Sequence, residues 1–202
     1  MIKSCVIGLS KIGQIHCNNL KKLKNTSLNF VYDKNFALRK KTAKRFKCKT
    51  SNSFEKILRD KEIKLFIIAS PTTTHEYYLN KLIQYKKMIY CEKPISLNSS
   101  KLNSLVKKIK TNKIKICIGL NRRFSDVYIK MKKLIKNKKA KIIQIISRSS
   151  NANVKQSVRN GGLFMDKGFH FFDLACWFAN SFPIKIITIA NPLSTKEFLK
   201  NN

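Results

Sequence analysis

Acidic residues are scarce: the 202-residue chain has ten Asp and Glu against 43 Lys and Arg, a formal net charge of +33. No apolar run approaches the ~20 residues of a membrane span. The longest candidate, Phe169 to Phe182, carries His170 and Asp173 inside it. The early apolar stretch Cys5 to Leu9 is too short for a signal-peptide core and reads as a strand, so a cytoplasmic location is expected. Six cysteines are present, but none is spaced C-x-x-C, which removes zinc-ribbon and thioredoxin readings and leaves no metal expected. Cys5, Cys91 and Cys117 fall in strand-like runs and read as small buried hydrophobes in a reducing compartment. No repeat, low-complexity tract or Pro/Gly/Ser linker interrupts the chain.

What is present is an ordinary 43% of hydrophobic residues, which excludes a disordered polycationic tail. A charge this positive is the usual footprint of a nucleic-acid binder. Here, however, the basic residues are 36 Lys and only 7 Arg, spread along the chain. Readers of DNA or RNA lean on the planar fork of Arg. The Lys excess therefore reads as a solvated surface, and nucleic acid is disfavoured as a partner.

The first 120 residues alternate short apolar runs with helical ones. Strands are expected at Ser4–Leu9, Leu28–Tyr32, Cys48–Ser51, Lys64–Ala69, Met88–Cys91 and Ile114–Gly119. Helices are expected at Lys11–Lys24, Phe36–Phe46, Phe54–Arg59, Thr74–Tyr85 and Leu97–Lys110. Strands apolar throughout need cover on both faces, and strand–helix alternation implies parallel pairing. The fold class is α/β, a doubly wound parallel sheet over residues 1–120. After Asn121 the pattern changes: a helix at Val127–Ile135, a strand at Lys141–Ser147, a helical segment from Phe169 and a β run at Ile184–Ile189. Residues 121–202 read as the beginning of an α+β domain too small to hold a core alone.

Gly8-Leu9-Ser10-Lys11-Ile12-Gly13 follows the first strand and opens the first helix. In a G-x-G-x-x-G turn the first glycine makes the bend, the second admits a pyrophosphate and the third permits close helix–strand packing. Ser10 replaces the second glycine. Asp33 lies twenty residues beyond Gly13, just after the second strand, where a carboxylate accepts the adenosine ribose hydroxyls. With ten acids in 202 positions, chance places one there about one time in twenty. A carboxylate repels a 2′-phosphate, so NAD is expected as the cofactor, while Lys34 beside it leaves NADP open. Ser70 to His75 and Glu92-Lys93-Pro94 follow the fourth and fifth strands, at the carboxyl edge where doubly wound sheets bind ligands. Thr74 also suits a helix N-cap.

In order and spacing, Gly8 to Gly13, Asp33, Pro71 to His75 and Glu92-Lys93-Pro94 resemble the Gfo/Idh/MocA oxidoreductases. Gly119 to Phe124 resembles that family's entry into its second domain. Gly161 to Asp166, with His170, Asp173 and Trp177, is similar to the segment carrying its catalytic Asp and His, most closely in the inositol 2-dehydrogenase branch. The resemblance implies a Rossmann domain and a nicotinamide-dependent oxidation of a secondary alcohol on an inositol, sugar or sugar derivative. It implies Lys93, Asp166 and His170 as catalytic residues. Cofactor contacts are implied for Gly8, Ser10, Lys11, Ile12, Gly13, Asp33, Pro71, Thr72, His75, Glu92 and Lys93. Substrate contacts are implied for Asn121 and Arg122 together with the catalytic three. His170 would take the hydroxyl proton, Asp166 would orient it, and Lys93 would hydrogen-bond the reacting oxygen. Phe171 stands where an acid often follows this His, and Ser149 to Asn160 has no clear match. The family is longer, continuing into an open antiparallel sheet that builds the substrate pocket and the homo-oligomer interface. The chain is therefore expected to be truncated, with most of that interface missing. Alternatives are an inactive NAD-binding fragment, one half of a split enzyme, or a basic nucleic-acid binder on the same fold.

Overall fold

A computed structural model describes residues 1–137, 143–146 and 168–187. The chain divides into two units, Met1–Gly119 and Leu120–Asn202.

The first unit is one parallel sheet wrapped by helices. Its strands are β1 (Ile2–Ile7), β2 (Thr26–Tyr32), β3 (Lys49–Thr50), β4 (Ile63–Ile68), β5 (Met88–Cys91) and β6 (Ile116–Ile118). Its helices are α1 (Lys11–Lys22), α2 (Phe36–Phe46), α3 (Phe54–Arg59), α4 (His75–Gln84) and α5 (Ser99–Thr111). The strand order is β3-β2-β1-β4-β5-β6, and every pairing is parallel. The order reverses beside β1, which puts the switch point of the doubly wound fold between β1 and β4.

Alternation along the central strands sends side chains to both faces. Cys5, Ile7, Phe66 and Ile68 pack with Phe54, Leu58, Tyr78 and Leu79 on one side. Val6 and Ile67 pack with Cys17, Leu20, Val31 and Phe46 on the other. That two-sided cover is why these strands read as continuous apolar runs. Helix starts are set locally: Asn35, Ser53 and Asn98 accept the amides of Leu38, Lys56 and Lys101, each cap contributing about 1 kcal/mol. Thr74 precedes α4 but makes no side-chain cap. Its hydroxyl donates to the Pro71 carbonyl at 2.7 Å instead.

In the second unit, a short 3-10 turn (Asn121–Phe124) leads into α6 (Asp126–Asn137), and α7 spans Phe169–Ala179. Lys132 on α6 donates to the Trp177 and Phe178 carbonyls at the end of α7. A cation there satisfies open carbonyls and the negative end of the helix dipole. Two expected β runs differ from the structure. Residues 143–146 and 184–187 form no strand. Ile146, Ile184 and Ile187 are exposed. A strand exists only against a partner, and none lies beside these segments among the described residues. The remainder of both runs lies outside the described residues.

Candidate dinucleotide site at the carboxyl edge

Gly8 ends β1 with φ +85°, and a Cβ there would sit 2.4 Å from the Ser70 backbone. A Cβ on Gly13 would fall 1.9 Å from the Gly8 carbonyl oxygen. Only glycine fits either place, so the turn holds α1 hard against the end of β1. Ser10 is the N-cap residue, exposed and extended (φ −67°, ψ −168°), and its hydroxyl makes no capping bond. The amides of Lys11, Ile12 and Gly13 belong to the first turn, which has no intrahelical acceptors, and no acid stands in that turn. A helix N-terminus left in that state suits a diphosphate.

Asp33, at the end of β2, accepts the Leu9 amide through Oδ2 at 2.7 Å and the Asn35 amide through Oδ1 at 2.8 Å. A carboxylate offers about four acceptor positions, so two remain for ribose hydroxyls. Arg39 braces this corner. Its buried guanidinium donates to the Asp33 carbonyl at 2.8 Å and to Asn52 Oδ1 at 2.6 Å. The glycine cradle, the open first turn and the acceptor capacity of Asp33 together fit a dinucleotide.

The β4 and β5 ends are clasped by His75. Its ring is 1% exposed, with Nδ1 2.8 Å from the Pro94 carbonyl and Nε2 2.9 Å from the Ser70 carbonyl. One ring N–H donates to one of these two carbonyls, so His75, expected from the sequence to touch cofactor, also ties the two loops together. Thr72 is buried and Pro71 exposed on the same loop.

Glu92 is also turned inward. Its Oε1 lies 2.8 Å from His16 Nε2 on α1. Burial, then the charge of Glu92, pushes the neighbouring Tyr90 phenol well above its ordinary value of 10.0. Glu92, expected from the sequence to touch cofactor, is thus bonded through Oε1 to His16. Lys93 follows at the carboxyl edge, half-buried.

In the second unit, Asn121 is exposed and the Arg122 guanidinium lies 4.2 Å from the Phe171 ring centroid. The adjacent Arg123, not singled out in the sequence, donates through Nε and Nη2 to both oxygens of Asp173 at 2.8 and 2.5 Å. That hydrogen bond to Asp173 raises the Arg123 pKa. His170 is the second residue of α7. Asp166 lies outside the described residues. Sequence reading missed His16 and Arg123. The rarity of histidine, three in the chain, was the available signal for the first. Nothing in the sequence distinguished Arg123 from Arg122.

Residues 2–120 match an oxidoreductase family described as Gfo/Idh/MocA, NAD-binding Rossmann fold. A curated relative, the myo-inositol 2-dehydrogenase of Thermotoga maritima, is 30% identical over 175 residues, covering 84% of this chain and 52% of that protein. The crystal structure of a putative myo-inositol dehydrogenase from Sinorhizobium meliloti superposes with a TM-score of 0.84 at 23% identity, over 97% of this chain and 62% of that one. The scyllo-inositol dehydrogenase of Lactobacillus casei, solved with NAD(H) and scyllo-inositol, gives 0.79 at 26% identity, over 88% and 56%. The chain spans about half the length of the curated relatives it matches. No helix among the described residues is long and apolar enough to cross a membrane.

Proposed function

Because the chain belongs to the Gfo/Idh/MocA oxidoreductases, with their NAD-binding Rossmann fold over residues 2–120, we propose that it oxidises a secondary alcohol of an inositol or related polyol to a ketone, or catalyses the reverse reduction. The observation that carries this reading is one sheet edge bearing three things: the glycine turn, Asp33 and the Glu92-Lys93-Pro94 segment. Relatives named for inositol oxidation at 22–30% identity support the substrate class.

Bound NAD would supply the hydride acceptor. The chain supplies the rest. The first-turn amides of α1 hold the diphosphate and Asp33 holds the adenosine ribose. Lys93 donates to the reacting oxygen and stabilises charge that grows there as its proton leaves. His170 takes that proton, since imidazole exchanges protons near neutral pH. Asp166 orients His170, and Asn121 and Arg122 bind the substrate hydroxyls. Part of this reading is a cytoplasmic location, with a homo-oligomer for the full-length family, whose interface is largely missing from this chain.

The test is turnover of a panel of inositols and sugars with NAD, beside calorimetric titration of NAD alone. Lys93→Ala and His170→Ala are expected to lower turnover by about 10²–10⁴ with a smaller change in NAD affinity. Unchanged turnover in both variants refutes the assignment. NAD binding with no turnover of any polyol replaces it with a nucleotide-binding chain that lacks catalysis by itself.

A further inference from the structure

His16 stands on α1, just past the glycine turn, and its Nε2 donates to Glu92 Oε1 at 2.8 Å. Donation runs that way because an ionised carboxylate only accepts. The two side chains are 14% and 24% exposed, so the pair is largely withdrawn from water. The His16 ring meets the Tyr90 ring edge-on, centroids 5.0 Å apart. The Tyr90 hydroxyl and the same carboxylate both lie beside Gly119. Glu92 Oε2 lies where a Cβ on Gly119 would come within 2.8 Å. The Glu92 amide donates to the Ile68 carbonyl at 2.9 Å. One carboxylate is thus held from α1 and lies against Gly119, which leaves room for it, while its backbone is pinned to β4.

We propose that His16 is a positioning residue for Lys93. By holding Glu92 between α1 and the ends of β5 and β6, it fixes the point and direction from which Lys93 leaves the sheet edge. The same histidine couples that direction to α1, whose first turn receives the diphosphate. Cofactor and lysine therefore share one frame of reference. This rests on reading Lys93 as the group that meets the reacting oxygen. The physical demand is strict: a displacement of about 1 Å at a reacting centre costs on the order of 10²-fold in rate. A charge-assisted bond between largely buried partners is the kind of contact that can meet it.

The experiment compares wild type with His16→Leu, which removes the donor, and His16→Gln, whose amide can still donate. The first readout needs no turnover: the rate at which acetic anhydride labels Lys93, followed by mass spectrometry and normalised to an exposed lysine such as Lys110. The Lys93 rate is expected to change at least about threefold in His16→Leu and to stay near wild type in His16→Gln. The second readout is the split between kcat and NAD affinity: a fall of about tenfold or more in kcat for His16→Leu, restored by His16→Gln, with NAD affinity within about threefold. Glu92→Gln, which keeps the shape and weakens the acceptor, repeats the labelling test if His16→Leu does not fold. Identical Lys93 labelling in wild type and in the donor-less or acceptor-weakened variant overturns the proposal. If no form turns over polyols, the proposed activity fails, while the labelling still decides the role of His16.

Discussion

The Asp33 carboxylate accepts the Leu9 amide at 2.7 Å, tying the end of β2 to the glycine turn that follows β1. This bond shapes the turn, and the same side chain has acceptor capacity left for a ribose. Asp33→Ala is expected to weaken NAD binding by about 10-fold or more, the worth of one charge-assisted hydrogen bond. NADP should be affected less, because a carboxylate facing a 2′-phosphate is removed. Titration of both dinucleotides checks this. Equal affinity for both in wild type refutes the role given to Asp33.

The glycine turn allows no side chain. Gly8→Ala places a methyl group 2.4 Å from the Ser70 backbone at a positive φ, and Gly13→Ala places one 1.9 Å from the Gly8 oxygen. Each is expected to cost about 3 kcal/mol or more, because the opposing atoms are backbone and cannot swing away. Urea unfolding measures it. Wild-type midpoints in both variants contradict the close approach of α1 to β1.

His75→Leu would leave whichever of the Ser70 and Pro94 carbonyls accepts the ring N–H without its donor. A loss of about 1–3 kcal/mol is expected, from one unpartnered carbonyl. His75→Gln should recover part of it through one bond. An unchanged unfolding midpoint for His75→Leu removes the clasp between the β4 and β5 ends.

Burial pushes the Cys17 thiol from its ordinary value of 9.0 up to about 12 and the Cys48 thiol up to about 11. The native state then binds these protons more tightly than the unfolded chain. Their stabilisation is complete below about pH 9 and is lost as pH rises through 11 and 12. Tyr78 is shifted upward by burial as well and acts in the same sense. The urea midpoint should be level to about pH 9 and then fall steadily, and a level profile to pH 12 contradicts it. In the native protein a thiol reagent should label exposed Cys117 first, and buried Cys5 and Cys91 only on unfolding.

The parallel sheet was legible because its strands are covered on both faces. Val6 and Ile67 look one way, Ile7 and Ile68 the other, so β1 and β4 read as unbroken apolar runs. Helix starts at Asn35 and Ser53 were close to hand, since a capping side chain acts within three residues. In the described part of the β runs after residue 140 the same reason acts in reverse. Apolar β-branched residues suit a strand, but only a neighbouring strand makes one, and 143–146 and 184–187 have none among the described residues.

Local order alone therefore settled which segments form β1 to β6, where Gly8 must bend and that Asp33 closes β2. Which way the rare side chains face was decided only in three dimensions. His75 and Glu92 stand in motif positions that suggest ligand contact, and in the fold one lies between two loop carbonyls while the other is bonded to His16, 76 residues away. Backbone form follows from neighbours along the chain. The partner of a buried polar group is whichever acceptor or donor the packing of distant elements brings within about 3 Å.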